Sequence, residues 1–187
     1  GRGRTGTGER LIMRIRGEPY RSIFLADDGW TVAVIDQTRL PFAFEVRHLK
    51  TMADTAEAIS NMVVRGAPLI GVTAAYGVAL GMREDPTDAG LAQAVDVLGR
   101  TRPTAVNLRW ALARMADALR AESPTARAER AYAEASRIAE QDVAACAAIG
   151  QHGAAIIDSL SQAVARRPVN VLTHCNAGWL ACVDWGT

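Results

Sequence analysis

The stretch 67–82, APLIGVTAAYGVALGM, constrains the fold more than any other part of the chain. It presents no polar face in a helical register, so a helix here must be enclosed by other elements as a buried central helix. Pro68 suits its first turn, where the missing N–H would have no intrahelical partner. The many Gly, Ala and Thr positions let neighbouring backbones come close. The stretch is too short to span a bilayer and is broken by Gly71, Gly77 and Gly81, so no transmembrane segment and no membrane partner are expected.

Such a helix needs partners, and the flanking sequence supplies them. YRSIFL and WTVAVID, joined by ADDG, predict a β-hairpin, and residues 36–41 predict the next turn. FAFEVRHL alternates as a third strand with Phe42, Phe44 and Val46 on one face. Thr51 and Asp54 form a capping-box pattern ahead of Met52, Ala56, Ile59 and Val63 at helical spacing, a helix expected to stop at Gly66. Further helices are predicted over 88–98, 108–121 and 124–165, the last with Gly150 and Gly153 as points of irregularity.

After Pro168 the texture changes. VNVLTH is a β-favouring run, Asn176-Ala177-Gly178 a small-residue turn, and WLACVDWGT is helix-like, which together describe the first unit of a doubly wound parallel sheet. The expected fold class is therefore α/β. A disordered extension (1–12) precedes a mostly helical N-terminal domain with an antiparallel hairpin (13–165), and residues 166–187 begin a Rossmann-like domain. A parallel strand needs neighbours, and no later βα unit follows, so the chain reads as ending just inside this second domain.

Composition narrows the function. The apolar share of 49% excludes disorder over the whole length. Twenty-one basic against twenty acidic residues give a net charge of +1, which argues against a polyanion binder and hence a nucleic-acid partner. Cys146, Cys175 and Cys182 fall in no CxxC spacing and no signal peptide precedes them, which fits a reducing cytoplasm.

Three clusters bear chemistry. In Val64-Arg65-Gly66-Ala67-Pro68 an arginine and a glycine precede a helix start, and exposed amides beside a guanidinium bind phosphate. In TRPTAVNL, Arg102 lies in a loop before another helix, with Thr104 and Asn107 as caps. In THCNAG, Cys175 lies at the C-terminal end of the parallel strand, where such sheets place ligands, and a following helix start would favour developing negative charge. Taken alone, each cluster is more commonly an ordinary capped loop or an inert buried cysteine. His174 faces away from Cys175 on a strand. His48 and His152 have no second ligand at i+3 or i+4, so no metal is expected, and Cys146 and Cys182 read as packing residues. Gly71, Gly77 and Gly81 lie within a helix and form no dinucleotide fingerprint.

Taken together and in order, RGAPLIGVTAAYG, TRPTAVNLRWAL and NVLTHCNAGWLACVDWGT resemble the methylthioribose-1-phosphate isomerases of methionine salvage. GEPYRSIFLADDGWTVAVIDQTRLP resembles that family's N-terminal hairpin, so the resemblance runs over 13–187. The wider superfamily includes ribose-1,5-bisphosphate isomerases and the regulatory subunits of initiation factor 2B; the THCN cysteine and RPTAVNL favour the methylthioribose branch.

The resemblance implies a catalytic Cys175, substrate contacts from Arg65, Gly66 and Ala67, and Arg102 on the phosphate. It implies a small sugar-phosphate substrate, no cofactor, and a homodimer at full length. It also implies an aspartate general acid and an Asn-Lys pair further along. Asp184, the only acidic residue after Cys175, does not match that aspartate, so these 187 residues alone are expected to be inactive. The alternatives are a ribose-1,5-bisphosphate isomerase, a non-catalytic regulatory or ligand-binding subunit, or a helical module whose last strand completes another protein's sheet.

Overall fold

The structure is a computed structural model that describes residues 13–163 and 168–187. The extension 1–12 and the expected end of the long helix at residue 165 lie outside the described residues.

Strands β1 (Arg14–Ile15) and β2 (Glu18–Pro19) form a small antiparallel pair. Strands β3 (Ile23–Leu25), β4 (Val32–Ile35) and β5 (Val46–Leu49) form an antiparallel sheet in that order, with Ile23 opposite Val34 and Ile35 opposite Val46. The hairpin turn is held by Asp28, whose carboxylate accepts from the Trp30 and Thr31 amides and the Thr31 hydroxyl. The third strand starts at Val46, later than its alternation suggests. Residues 39–43 spend their backbone N–H groups on local turns: Arg39 N–H donates to Asp36, and both Phe42 and Ala43 N–H donate to Arg39. Pro41 has no N–H to give a ladder. Phe42 is therefore left 96% exposed, and Phe44 stands edge-on to Tyr20.

Helix α1 (Met52–Ser60) carries the full capping box: Thr51 Oγ1 accepts from Asp54 N–H, and Asp54 accepts from Thr51 N–H. It ends six residues before Gly66. Met62 takes a left-handed conformation, and the Val63 and Val64 amides both turn back to the Ala58 carbonyl. Unwinding early lets Val63 and Val64 both face the core, which a continuing helix would not.

Helix α2 (Ala67–Glu84) is buried at every position from Leu69 to Met82, as its sequence requires. It packs against α1, α3 (Asp88–Thr101), α4 (Val106–Leu119) and α5 (Pro124–Ala163). Gly71 sets the closest approach, because a Cβ there would lie 2.9 Å from the Asn107 carbonyl oxygen. The first turns of α2 and α4 are thus held side by side. Buried charges at this packing layer are paired: Glu134 binds Arg114 and Arg137, each at 2.7 Å, and Arg127 binds Asp88 at 2.7 Å.

Helix α5 runs unbroken through Gly150 and Gly153. Its first half packs onto the core as far as Cys146, and beyond that Ile149, Ile156, Ile157 and Leu160 are exposed. By length and composition alone α5 is long and apolar enough to cross a membrane, a property sought in the sequence only at 67–82.

The expected strand at 169–174 does not form; residues 168–177 lack regular structure, and all of them but the half-buried residue 169 are exposed. A strand exists only through its partners, and none is present here. The expected helix after it is reduced to a 3-10 turn, Trp179–Ala181, followed by buried residues through Asp184. The α/β class holds as helices with small antiparallel sheets.

Two outcomes follow from this packing. Leu80→Ala should cost about 2–5 kcal/mol in urea unfolding, and Ile156→Ala should stay within about 0.5 kcal/mol of the parent. Burial alone would push the Asp54 carboxyl up, but hydrogen bonds from Lys50 and Thr51 and the nearby Arg47 hold it below its ordinary 3.8. The cap's ionic contribution is therefore complete above that pH and is lost as pH falls through the lowered value. Thr51→Ala should cost about 0.5–2 kcal/mol near neutrality, and the gap to Asp54→Asn should shrink in acid, both read by thermal unfolding.

Candidate functional site

Helices α2 and α4 both begin without a side-chain cap. The flanking residues are Gly66 and Ala105, and neither Thr104 nor Asn107 caps α4, contrary to the sequence expectation. The first-turn amides of both helices are therefore left without a side-chain acceptor, and both helix dipoles end there. Because Gly71 holds these two starts together, both border one cavity of about 250 Å³. Pro68 and Val72 line it from α2, Asn107 and Trp110 from α4, and Gln141 and Asp142 from α5. Arg65 precedes the first start and is exposed; Arg102 precedes the second and is half-buried. Neither guanidinium is in a hydrogen bond or ion pair among the described residues. Two free cations thus flank two uncapped helix starts.

The C-terminal turn closes on the same region. Gly66 has φ +99°, and a Cβ on it would lie 2.3 Å from Ala181 Cα, so only glycine fits. The turn is held through its backbone: Gln37 Nε2 donates to Leu180 O at 2.6 Å, Ser22 N–H to Val183 O at 3.0 Å, and Val183 N–H to Asp142 Oδ2 at 2.7 Å. Asp184 is buried and accepts from the Met13 amide at 3.3 Å.

Cys175 lies on the exposed segment with φ +64°, and no helix starts beside it; the 3-10 turn begins four residues later. No hydrogen bond or ion pair joins His174 or Cys175 to either arginine cluster among the described residues. The starts of α2 and α4 that follow the first two clusters lie side by side, and the contact to Gly66 comes from Ala181, three residues beyond the third cluster, not from its cysteine.

Cys146 and Cys182 are buried, as expected of packing residues. Burial pushes both thiols up, Cys182 far above the ordinary range, with the nearby Asp142 carboxylate acting in the same direction. Burial also raises Asp142, partly offset by the Val183 N–H. Asp142 is the residue that sequence reasoning missed. Its signal was an acidic residue four positions before Cys146, on the face of α5 that turns inward.

An antiparallel sheet and five helices thus place two uncapped helix starts, each preceded by a free arginine, on one cavity beside a glycine-locked turn. The model of the initiation factor 2 subunit family matches residues 63–183, and the chain belongs to that family. It is 65% identical to the methylthioribose-1-phosphate isomerase of Methylobacterium nodulans over 94% of this chain and 48% of that protein. It is 54% identical to the methylthioribose-1-phosphate isomerase of Escherichia coli over 94% and 47%. Among solved structures it is similar to 5-methylthioribose 1-phosphate isomerase from Pyrococcus horikoshii, with TM-score 0.76 and 35% identity over 94% of this chain and 50% of that one. It is also similar to translation initiation factor eIF-2B subunit delta from A. fulgidus, with TM-score 0.73 and 39% identity over 89% and 48%. The chain spans about half the length of the curated relatives it matches.

The exposures predict the order of thiol chemistry. Iodoacetamide should label Cys175 first, with Cys146 and Cys182 slower by about tenfold or more, since each unit of raised pKa removes about nine-tenths of the thiolate. Peptide mapping by mass spectrometry reads this order. Gly66→Ala should release the C-terminal turn, at a cost of about 1–3 kcal/mol, and speed hydrogen exchange at the Cys182 and Val183 amides.

Proposed function

We propose that this chain is the N-terminal part of an isomerase that converts 5-methylthioribose 1-phosphate to 5-methylthioribulose 1-phosphate in the cytoplasm. The observation that carries this reading is the pair of uncapped helix starts on one cavity, each preceded by an unpaired arginine. The identity of 54–65% to proteins named for that activity supports the substrate. The similarity to an initiation-factor subunit shows that this scaffold also occurs in proteins named for a different role, and the retained Cys175 favours the enzyme.

In this reading Arg65, Gly66, Ala67 and Arg102 bind the substrate, with the guanidinium of Arg102 and the amides at the helix starts on the phosphate. The reaction is an internal redox exchange. Hydrogen leaves C2, whose hydroxyl carbon becomes a carbonyl, and arrives at C1, while the ring oxygen takes a proton as its bond to C1 breaks. The anomeric oxygen stays esterified throughout, so opening cannot pass through a free hemiacetal. Cys175 acts at this centre as a catalytic residue or as a stabiliser of the transition state. Residues 166–187 begin a Rossmann-like domain, whose strands would pair with 169–174, bring Cys175 over the cavity and supply the general acid. That protein is a homodimer.

The test is kinetic, in a chain of the relatives' full length. Arg65→Ala and Arg102→Ala should each lower kcat/KM by an amount worth roughly 1.5–3 kcal/mol, and Arg→Lys should restore only part, because the bidentate fork is lost. Parent kinetics in both alanine variants would remove the phosphate assignment.

A further inference from the structure

Asp142, Cys146 and Cys182 form a cluster that the proposed isomerisation does not use. One carboxylate oxygen and the two sulfurs lie within 4.8 Å of one another. Two of the three come from α5, four residues apart and so on one helix face, and the third comes from the C-terminal turn. Both cysteines are buried, at 2% and 0% exposure, and neither is in a disulfide.

We propose that these three side chains bind one thiophilic divalent ion of the zinc class, clasping the C-terminal turn to α5. Two thiolates and a carboxylate are the donors that such an ion prefers, and they fill three of its four positions. Ligands at about 2.0–2.3 Å from a tetrahedral ion stand roughly 3.3–3.8 Å from one another, so the side chains need draw in by only about 1 Å. The carboxylate is already oriented for this task. Asp142 Oδ2 accepts the Val183 amide at 2.7 Å, while Oδ1 faces Cys146 Sγ at 3.9 Å. A hydrogen bond from behind is the usual support of a ligating carboxylate. The chain around the third ligand is equally fixed, since Val183 O accepts from Ser22 and Leu180 O from Gln37. As the ion enters, the two thiols pass their protons to solvent, and the cluster's three negative charges are largely neutralised. Cys175, exposed and remote from this network, takes no part.

The experiment is a titration of the whole reduced chain with cobalt(II) and then cadmium(II), following the sulfur-to-metal charge-transfer absorption. The parent and Cys175→Ser should saturate with one equivalent and show the same band. Cys182→Ser and Cys146→Ser should each lose most of it, and Asp142→Asn should weaken binding at least several-fold. In the parent protein, without any substitution, cadmium should protect Cys146 and Cys182 from alkylation and leave Cys175 reactive. Circular dichroism of each metal-free variant separates loss of a ligand from loss of the fold. The proposal is overturned if the folded parent gives no thiolate band, if the band disappears with Cys175→Ser, or if cadmium leaves the labelling of Cys146 and Cys182 unchanged.

Discussion

Everything in this chain is arranged around the burial of α2. A helix with no polar face from Leu69 to Met82 can be stable only when other elements surround it, and α1, α3, α4 and α5 do so. Its small residues turn that requirement into geometry. Gly71 admits the Asn107 backbone, which brings the starts of α2 and α4 side by side on one cavity. The juxtaposition of the two helix starts is therefore a by-product of how the core closes, not an addition to the surface.

The other half of the arrangement is the docking of the C-terminal turn. It is assembled from residues far apart in sequence: Ser22 and Gln37 from the sheet side, Asp142 from α5, and Gly66 from the loop before α2. These contacts tie the loop that carries Arg65 to the segment that carries Cys175, even though the cysteine itself stands in solvent. The apolar residues Ile149, Ile156, Ile157 and Leu160 of α5 past Cys146 are exposed, and so are Val171 and Leu172.

Much of this was legible from residues alone, and the reasons differ by element. The Thr51–Asp54 box and Pro68 are local signals whose bonds lie within one turn, so sequence spacing specifies them fully. The hairpin was readable from Asp27-Asp28-Gly29 for the same reason. Phe42 and Phe44 alternate as a strand would, but the turn bonds to Asp36 and Arg39 win over a ladder that Pro41 cannot join. The end of α1 is not legible in the sequence because Met62, a residue with no turn preference, adopts the left-handed conformation that a glycine such as Gly66 supplies more readily. The stretch 169–174 has the composition of a strand, and composition cannot provide a neighbour. That Arg65 and Arg102 precede helix starts was legible because helix starts are local; the place of Asp142 was not, because its partner lies 41 residues away.

The bonds that seat residues 179–183 go to Trp179, Leu180 and Val183 backbone atoms, while the side chain that matters most there is the small one of Ala181 against Gly66. Such a joint is indifferent to most of the letters written across it. Related chains are therefore free to drift at 179 and 180 while keeping the turn in place, and the positions under tight restraint are Gly66, Ala181, the buried Cys182 and the distant Gln37 and Asp142. Divergence within the turn itself is thus a poor guide to whether two such proteins share the same seat.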